Sequence, residues 1–406
     1  MPGISLPTII TLIVVGLIAL NALSYFTQHI KIIAPIIWVL IIGFIYSAVA
    51  RFSDIGIPEI PLDPEIVLYA FVPLLVFAST QKICLDNLKK VLVPASLTAT
   101  AGIVISMVLM ALPLYFLMSF NLLEALLLGV ILSATDPLAV GALLDGNKQV
   151  SESQKLLVEG ESILNDGFVV TISGIIGVMI FEDAEFSFIL SGKEFLQHVV
   201  GAIVLGIMIA RGGRWLIEKW HSDRFKLRTN MTLGIAYGSF ALGELIHVSG
   251  ILAVFAAALA YGYKPKEDDK NKHIHRHLWE YFEYLSNAVL FFILGASFFV
   301  YFSADSLTVT LLSVLAFFLI APRLISLILL RPFIIVDGAR LNKNEVLLLN
   351  FAGARGAIPI ALILLLPDSF ELKQTCLSIT FLMIFLSLLI YPICLDLIFK
   401  DETRTS

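Results

Sequence analysis

The chain has 406 residues, is 58% hydrophobic and only 15% charged, and carries a formal net charge of −5. A soluble domain of this size carries far more charge, so a water-soluble enzyme or a basic nucleic-acid binder is excluded. The apolar runs are long and continuous, not short and alternating, which points to helices and not to a barrel.

Taken in chain order, the runs predict thirteen spans, at roughly 5–26, 32–50, 65–80, 91–119, 122–144, 156–181, 195–217, 230–247, 249–263, 278–302, 306–330, 345–366 and 374–399. The first has no basic start and no cleavage site, so it reads as a span and not a signal peptide. The divisions near 120, 248 and 304 are short turns. The run KEDDKNKHIHRH (266–277) reads as a solvated loop.

Lys and Arg test this count. Arg51, Lys193 and Lys373 fall on the side that holds the N-terminus; twenty-two fall on the other, and Arg323 and Arg355 lie inside spans. Positive residues stay cytoplasmic, so the expected orientation is N-terminus outside and C-terminus inside, in the plasma (inner) membrane. Spans one to six and eight to thirteen then form two halves of opposite topology around span seven. The fifth span of the first half contains TDP (135–137), and that of the second contains GARGAIP (353–359). Both are interrupted helices. Paired broken helices in inverted repeats are a pointer to a transport site near the midplane. The expected fold is therefore an all-α polytopic membrane protein of about thirteen transmembrane helices. Two inverted six-helix repeats would have their broken helices crossing at mid-membrane.

Ionisable groups inside the membrane are expensive and default to function. Span five carries Thr135 and Asp136, and span six carries Glu161, Ser162, Asn165 and Asp166; Arg323 and Arg355 lie in spans eleven and twelve. At about 100° per residue, with Glu161 at zero, Asn165 falls near 40°, Ser162 near 100° and Asp166 near 140°. Ser162 and Asp166 share one edge, while Glu161 points elsewhere and is placed to pair with an arginine on another helix. Thr135, Ser162, Asp136 and Asp166 offer hard oxygen ligands, which suit an alkali cation such as Na⁺. Asn165 can hold the site together without adding charge. The break beside Pro137 exposes backbone groups where they line a cavity, and half-helix ends there suit Asp136 on one side and Arg355 on the other.

ATDPLAV (134–140) followed by VEGESILNDG (158–167) resembles the paired signature of monovalent cation/proton antiporters of the NhaP and eukaryotic sodium/proton exchanger group. HVSGILAVFAAAL (247–259) and GARGAI (353–358) are similar to that family too. The resemblance implies secondary exchange of Na⁺ (or Li⁺ or K⁺) for H⁺ by an elevator motion, with cation and proton competing for Asp166. It implies cation-binding roles for Asp166, Asp136, Thr135, Ser162 and Asn165, a structural pair of Glu161 with Arg323, and a charge at the helix crossover from Arg355. It also implies a homodimer. A dimerisation domain would come from 1–90 and 221–303, an ion-binding core from 91–185 and 304–400, a linker helix from 186–220 and a short cytoplasmic tail from 401–406. Because relatives with Asn-Asp tend to be electroneutral, Asn165-Asp166 implies one-for-one exchange. No catalytic residue, cofactor, nucleotide or nucleic-acid partner is expected; the only partners are membrane lipid and a second copy. Two features depart from the family: Phe77 stands where many relatives carry an acid, and the chain stops soon after its last span. A symporter or anion carrier on a similar fold is the competing reading. An intramembrane aspartyl protease using Asp136 and Asp166 is a remote one.

Overall fold

The computed structural model describes residues 35–405, except 54–55, 82–84, 137–139, 142–143, 145–146, 148–149, 182–187, 220–224, 263–269 and 303–307. The expected first span, Pro137 and the expected turn near 304 lie outside the described residues. Apart from connecting segments and one small hairpin, the described residues are helical. In order, α1 is Pro35–Phe52 and α2 is Ile66–Thr80, opening on a π turn. Helix α3 is Leu85–Leu97 continued through a π turn into Ile103–Leu117. Next come α4 (Leu122–Ser133), α5 (Glu152–Phe181), α6 (Phe188–Lys219), α7 (Phe225–Leu245), α8 (Gly250–Tyr261) and α9 (Lys270–Ala296). After a single turn at Phe298–Tyr301 follow α10 (Val309–Leu330), the two-stranded hairpin Ile335–Val336 with Ala339–Arg340, α11 (Lys343–Ala352), α12 (Ile358–Leu364) and α13 (Lys373–Thr405).

Both expected interruptions are present. Helix α4 ends at Ser133 after twelve residues, about 18 Å of the roughly 30 Å hydrocarbon layer. Helices α11 and α12 are separated by a non-helical 353–357. The two broken helices also begin alike. Asn121 accepts from Glu124 N–H (2.9 Å) while Glu124 accepts from Asn121 N–H (2.8 Å), a reciprocal capping box. Asn342 and Glu345 repeat it at 2.8 and 2.5 Å. The Asn-x-x-Glu starts were readable in the sequence, and they fix where each half-helix begins. The turn near 120 is made by Ser119 and the one near 248 by His247, both with positive φ.

Two expected boundaries need correction. Helix α5 begins at Glu152 and not at 156, because Ser151 and Gln154 exchange backbone–side-chain hydrogen bonds (2.8 and 3.2 Å) that cap an earlier start. Helix α13 continues to Thr405, through the segment expected as the tail; extending a formed helix is far easier than starting one. The loop read at 266–277 is helical from Lys270. There His275 is buried, one turn before the fully buried Trp279, so the apolar face of α9 runs into the polar segment.

Packing sorts the helices into two groups. Helices α3, α4 and α5 pack together and against α10, and α11 and α12 pack on α13. Helix α1 packs along α9, α6 along α8, and α8 also against α7 and α2. The site lies where the broken helices of the first group meet α2 and α9 of the second.

Candidate cation site

Segment 134–136 leaves α4 in extended conformation and meets the gap between α11 and α12. Asp136 N–H donates to the Ala354 carbonyl at 2.6 Å, so the two interruptions are joined directly through their backbones. Two glycines make this approach possible. A Cβ on Gly356 would lie 2.6 Å from Asp136 Oδ2, and one on Gly353 would lie 2.5 Å from Arg323 Nε. The GARG glycines therefore leave room for an acid on one side and a guanidinium on the other.

Helix α5 supplies different chemistry on its different faces. Glu161 receives two hydrogen bonds from Arg323, at 2.7 and 3.1 Å, and both side chains are buried. Arg323 Nε also donates to the Leu349 carbonyl near the end of α11 (3.1 Å), so the pair braces the second interruption as well. On the other side, Ser162 Oγ donates to the Thr135 carbonyl (2.8 Å), and Asn165 Nδ2 donates to Thr135 Oγ1 (2.6 Å). These bonds hold the extended segment against α5. They leave lone pairs on Ser162 and Thr135 hydroxyls, which can still face a cation.

Arg355 is 1% exposed and donates through Nη1 to the carbonyls of Ser133 (2.8 Å) and Ala134 (3.1 Å). These are the terminal carbonyls of α4, the negative end of its dipole. The Arg355 backbone N–H is held by Ser387 Oγ at 3.1 Å. Ser387 is a site residue the sequence reading missed; as a lone serine in an apolar run it gave no signal.

A cavity of about 110 Å³ collects these groups. Thr135, Asp136, Ser162 and Asp166 line it, together with Gly356–Pro359 from the second interruption and Val72, Leu75, Val76 and Ser79 from α2. Glu159 and Glu283 line it as well, and among the described residues no basic side chain does. The sequence reading missed both glutamates. Glu159 had a signal, since it precedes Asp166 by seven residues on the same helix face; Glu283 had none. Asn165 lies behind the lining, and Glu161 and Arg323 line a separate, far smaller void. Phe77 does not reach the cavity. It is fully buried and packs against Trp279 of α9 in a tilted pair with ring centroids 4.8 Å apart.

The model of the transmembrane sodium/hydrogen exchanger family matches residues 3–401. The chain is 26% identical to the low-affinity Na⁺/H⁺ antiporter NhaS1 of Synechocystis, over 93% of this chain and 72% of that one. It is also 26% identical to the Na⁺/H⁺ antiporter NhaP of Pseudomonas aeruginosa, over 93% of both. Among solved structures, the sodium proton antiporter MjNhaP1 of Methanocaldococcus jannaschii at pH 8 superposes with a TM-score of 0.73, covering 96% of this chain and 97% of that one. At 19% identity, that likeness speaks for the fold.

Proposed function

The chain belongs to the transmembrane sodium/hydrogen exchanger family, and from that premise we propose that it is a secondary transporter, not an enzyme, exchanging Na⁺ (or Li⁺ or K⁺) for H⁺ by alternating access. The observation that carries this reading is the cavity at the crossing of the two interrupted helices, where carboxylates and hydroxyls stand among apolar side chains with no basic side chain among the described residues. Such a lining favours a cation and disfavours the anion carrier. Carboxylate and hydroxyl oxygens are the ligands that a hard monovalent ion takes.

Asp166 is the exchange group in this reading, binding either H⁺ or Na⁺, with Asp136, Thr135 and Ser162 completing the oxygen set. Asn165 holds Thr135 in place. Glu161 is paired with Arg323 and takes no part in the exchange. Arg355 places a positive charge against the end of α4 next to Asp136. One carboxylate then trades its charge in each cycle, which makes exchange one-for-one and electroneutral. The ions are cargo, and the reading calls for no resident cofactor. We place the chain in the plasma (inner) membrane with its basic side cytoplasmic, as a homodimer.

The test is purified protein in proteoliposomes with a pH-sensitive dye. Added NaCl should drive proton movement. With the potential clamped by K⁺ and valinomycin, the ion gradient at which flux vanishes should not move with voltage. Absence of proton flux driven by Na⁺, Li⁺ or K⁺ defeats the exchange reading, and a voltage-dependent null point defeats the one-for-one stoichiometry.

A further inference from the structure

The four carboxylates of the cavity are spread along it. Glu159, Ser162, Ile163 and Asp166 all line it, the i, i+3, i+4, i+7 stripe of a single helix face. Glu159 therefore stands about two turns, roughly 10 Å, from Asp166 along α5. On the facing wall, Glu283 and Leu290 of α9 line the same cavity, again seven residues apart. Three helices lie between α5 and α9 in the chain, so with each crossing the bundle the two run in the same direction. That direction places Glu283 toward the same end of the cavity as Glu159, and Leu290 toward that of Asp166. Ser79, next to the end of α2, lines the cavity as well, which places the two glutamates toward the end of the bundle that carries the basic loops.

We propose that Glu159 and Glu283 are an outer pair that recruits the monovalent cation and sets its apparent affinity, without themselves carrying the exchanged charge. The proposal rests on the exchange reading above. Glu159 is exposed, Glu283 and Asp166 are half-buried, and Asn165 and Thr135 beside Asp166 are buried. Much of the remaining lining is apolar, including Val67, Val72, Leu75 and Val76. Low-dielectric walls focus the field of charges at a mouth and raise the local concentration of counter-ions. Neutral hydrogen-bonding side chains would suffice to wet an opening. Carboxylates from both walls add attraction for a cation. Because one belongs to α5 and the other to α9, they come from the two helix groups that meet at the cavity.

The experiment measures the Na⁺-dependent rise in melting temperature of the full chain in detergent, with choline chloride holding ionic strength constant, beside Na⁺-driven exchange in proteoliposomes. Variants are Glu159→Gln, Glu283→Gln, the double variant and the conservative Glu283→Asp. Each glutamine substitution should raise the half-saturating Na⁺ concentration in both assays roughly two- to tenfold, the range expected for one charge about 10 Å away in a partly aqueous setting. The full height of the melting shift and the saturating exchange rate should stay at wild-type level. The difference should shrink as inert salt is added, and Glu283→Asp should lie close to wild type. An unchanged half-saturation in the double variant overturns the proposal. So does a fall in saturating rate with half-saturation unchanged. Wild type showing no response to Na⁺, Li⁺ or K⁺ overturns the exchange reading and this role with it, a result distinct from a responsive wild type matched by its glutamine variants.

Discussion

On α5, Glu161 and Asp166 stand five residues apart; one has an arginine against it, the other a cavity. Glu161 is 1% exposed and held by two hydrogen bonds from Arg323. Asp166 lines a space of about 110 Å³ that it shares with Asp136. A buried acid with a bidentate partner has its charge cancelled inside the protein, and taking the partner away leaves a lone ion in low dielectric. An acid at a cavity whose described lining holds no basic residue can have its charge balanced by what enters. The helix thus separates holding the core together from binding the cargo, through the angle at which each side chain leaves it.

The sharpest break of this contrast is Asp166→Asn. It should abolish Na⁺-driven proton movement in proteoliposomes, with a melting temperature close to wild type. Retained exchange would remove Asp166 from its role. Next in size, Glu161→Gln or Arg323→Ala should destabilise the protein by about 3–5 kcal/mol, the usual consequence of breaking a buried pair. Melting curves in detergent should show both falling well below Asp166→Asn. Equal curves for all three would return Glu161 to the cation site.

The two glycines of the second interruption sharpen the same contrast from the opposite side. Gly356→Ala pushes a methyl group onto the Asp136 carboxylate, 2.6 Å away, and Gly353→Ala pushes one onto the Arg323 guanidinium at 2.5 Å. Overpacking of this kind costs about 1–3 kcal/mol. Gly356→Ala should act mainly on cation binding, raising the half-saturating Na⁺ concentration several-fold. Gly353→Ala should act mainly on melting temperature. The reverse pattern would place Asp136 in the scaffold and Arg323 in the site.

The smallest expected effect lies away from both faces, at the start of α9. Burial, and then the nearby Arg228, push the His275 imidazole down from 6.5 to about 4. Its ring Nδ1 lies 3.4 Å from Thr229 Oγ1 of α7. A histidine whose folded pKa is lowered binds fewer protons folded than unfolded between those values, so stability falls as pH drops from about 6.5 toward 4. The melting temperature of wild type should decline over that window by more than that of His275→Gln, with the two converging in slope above pH 7. Parallel declines would show that His275 contributes nothing to the acid response.

Much of this was legible in the sequence because it rests on local rules. Composition and run length determined a helical membrane protein, since a bilayer admits little else of that pattern. The charged motifs inside apolar runs located both interruptions, and the 3.6-residue period alone set Glu161 apart from Ser162 and Asp166 on α5. The Asn-x-x-Glu starts of α4 and α11 were equally local, though they were read only with the structure in hand. Tertiary structure decided the rest. Helix phase left Glu161 free to meet either intramembrane arginine, and family resemblance named Arg323; the packing of α10 against its neighbours sets the pair 162 positions apart in the chain. That Gly356 must be small follows from an aspartate more than two hundred residues earlier. That His275 is buried follows from Trp279 docking on Phe77 and on α7. Glu283 reaches the cavity because α9 is laid beside it, and its own surroundings in sequence carry no sign of that. Periodicity fixes the direction in which a side chain leaves its helix, but what it meets depends on segments that only the folded chain brings alongside.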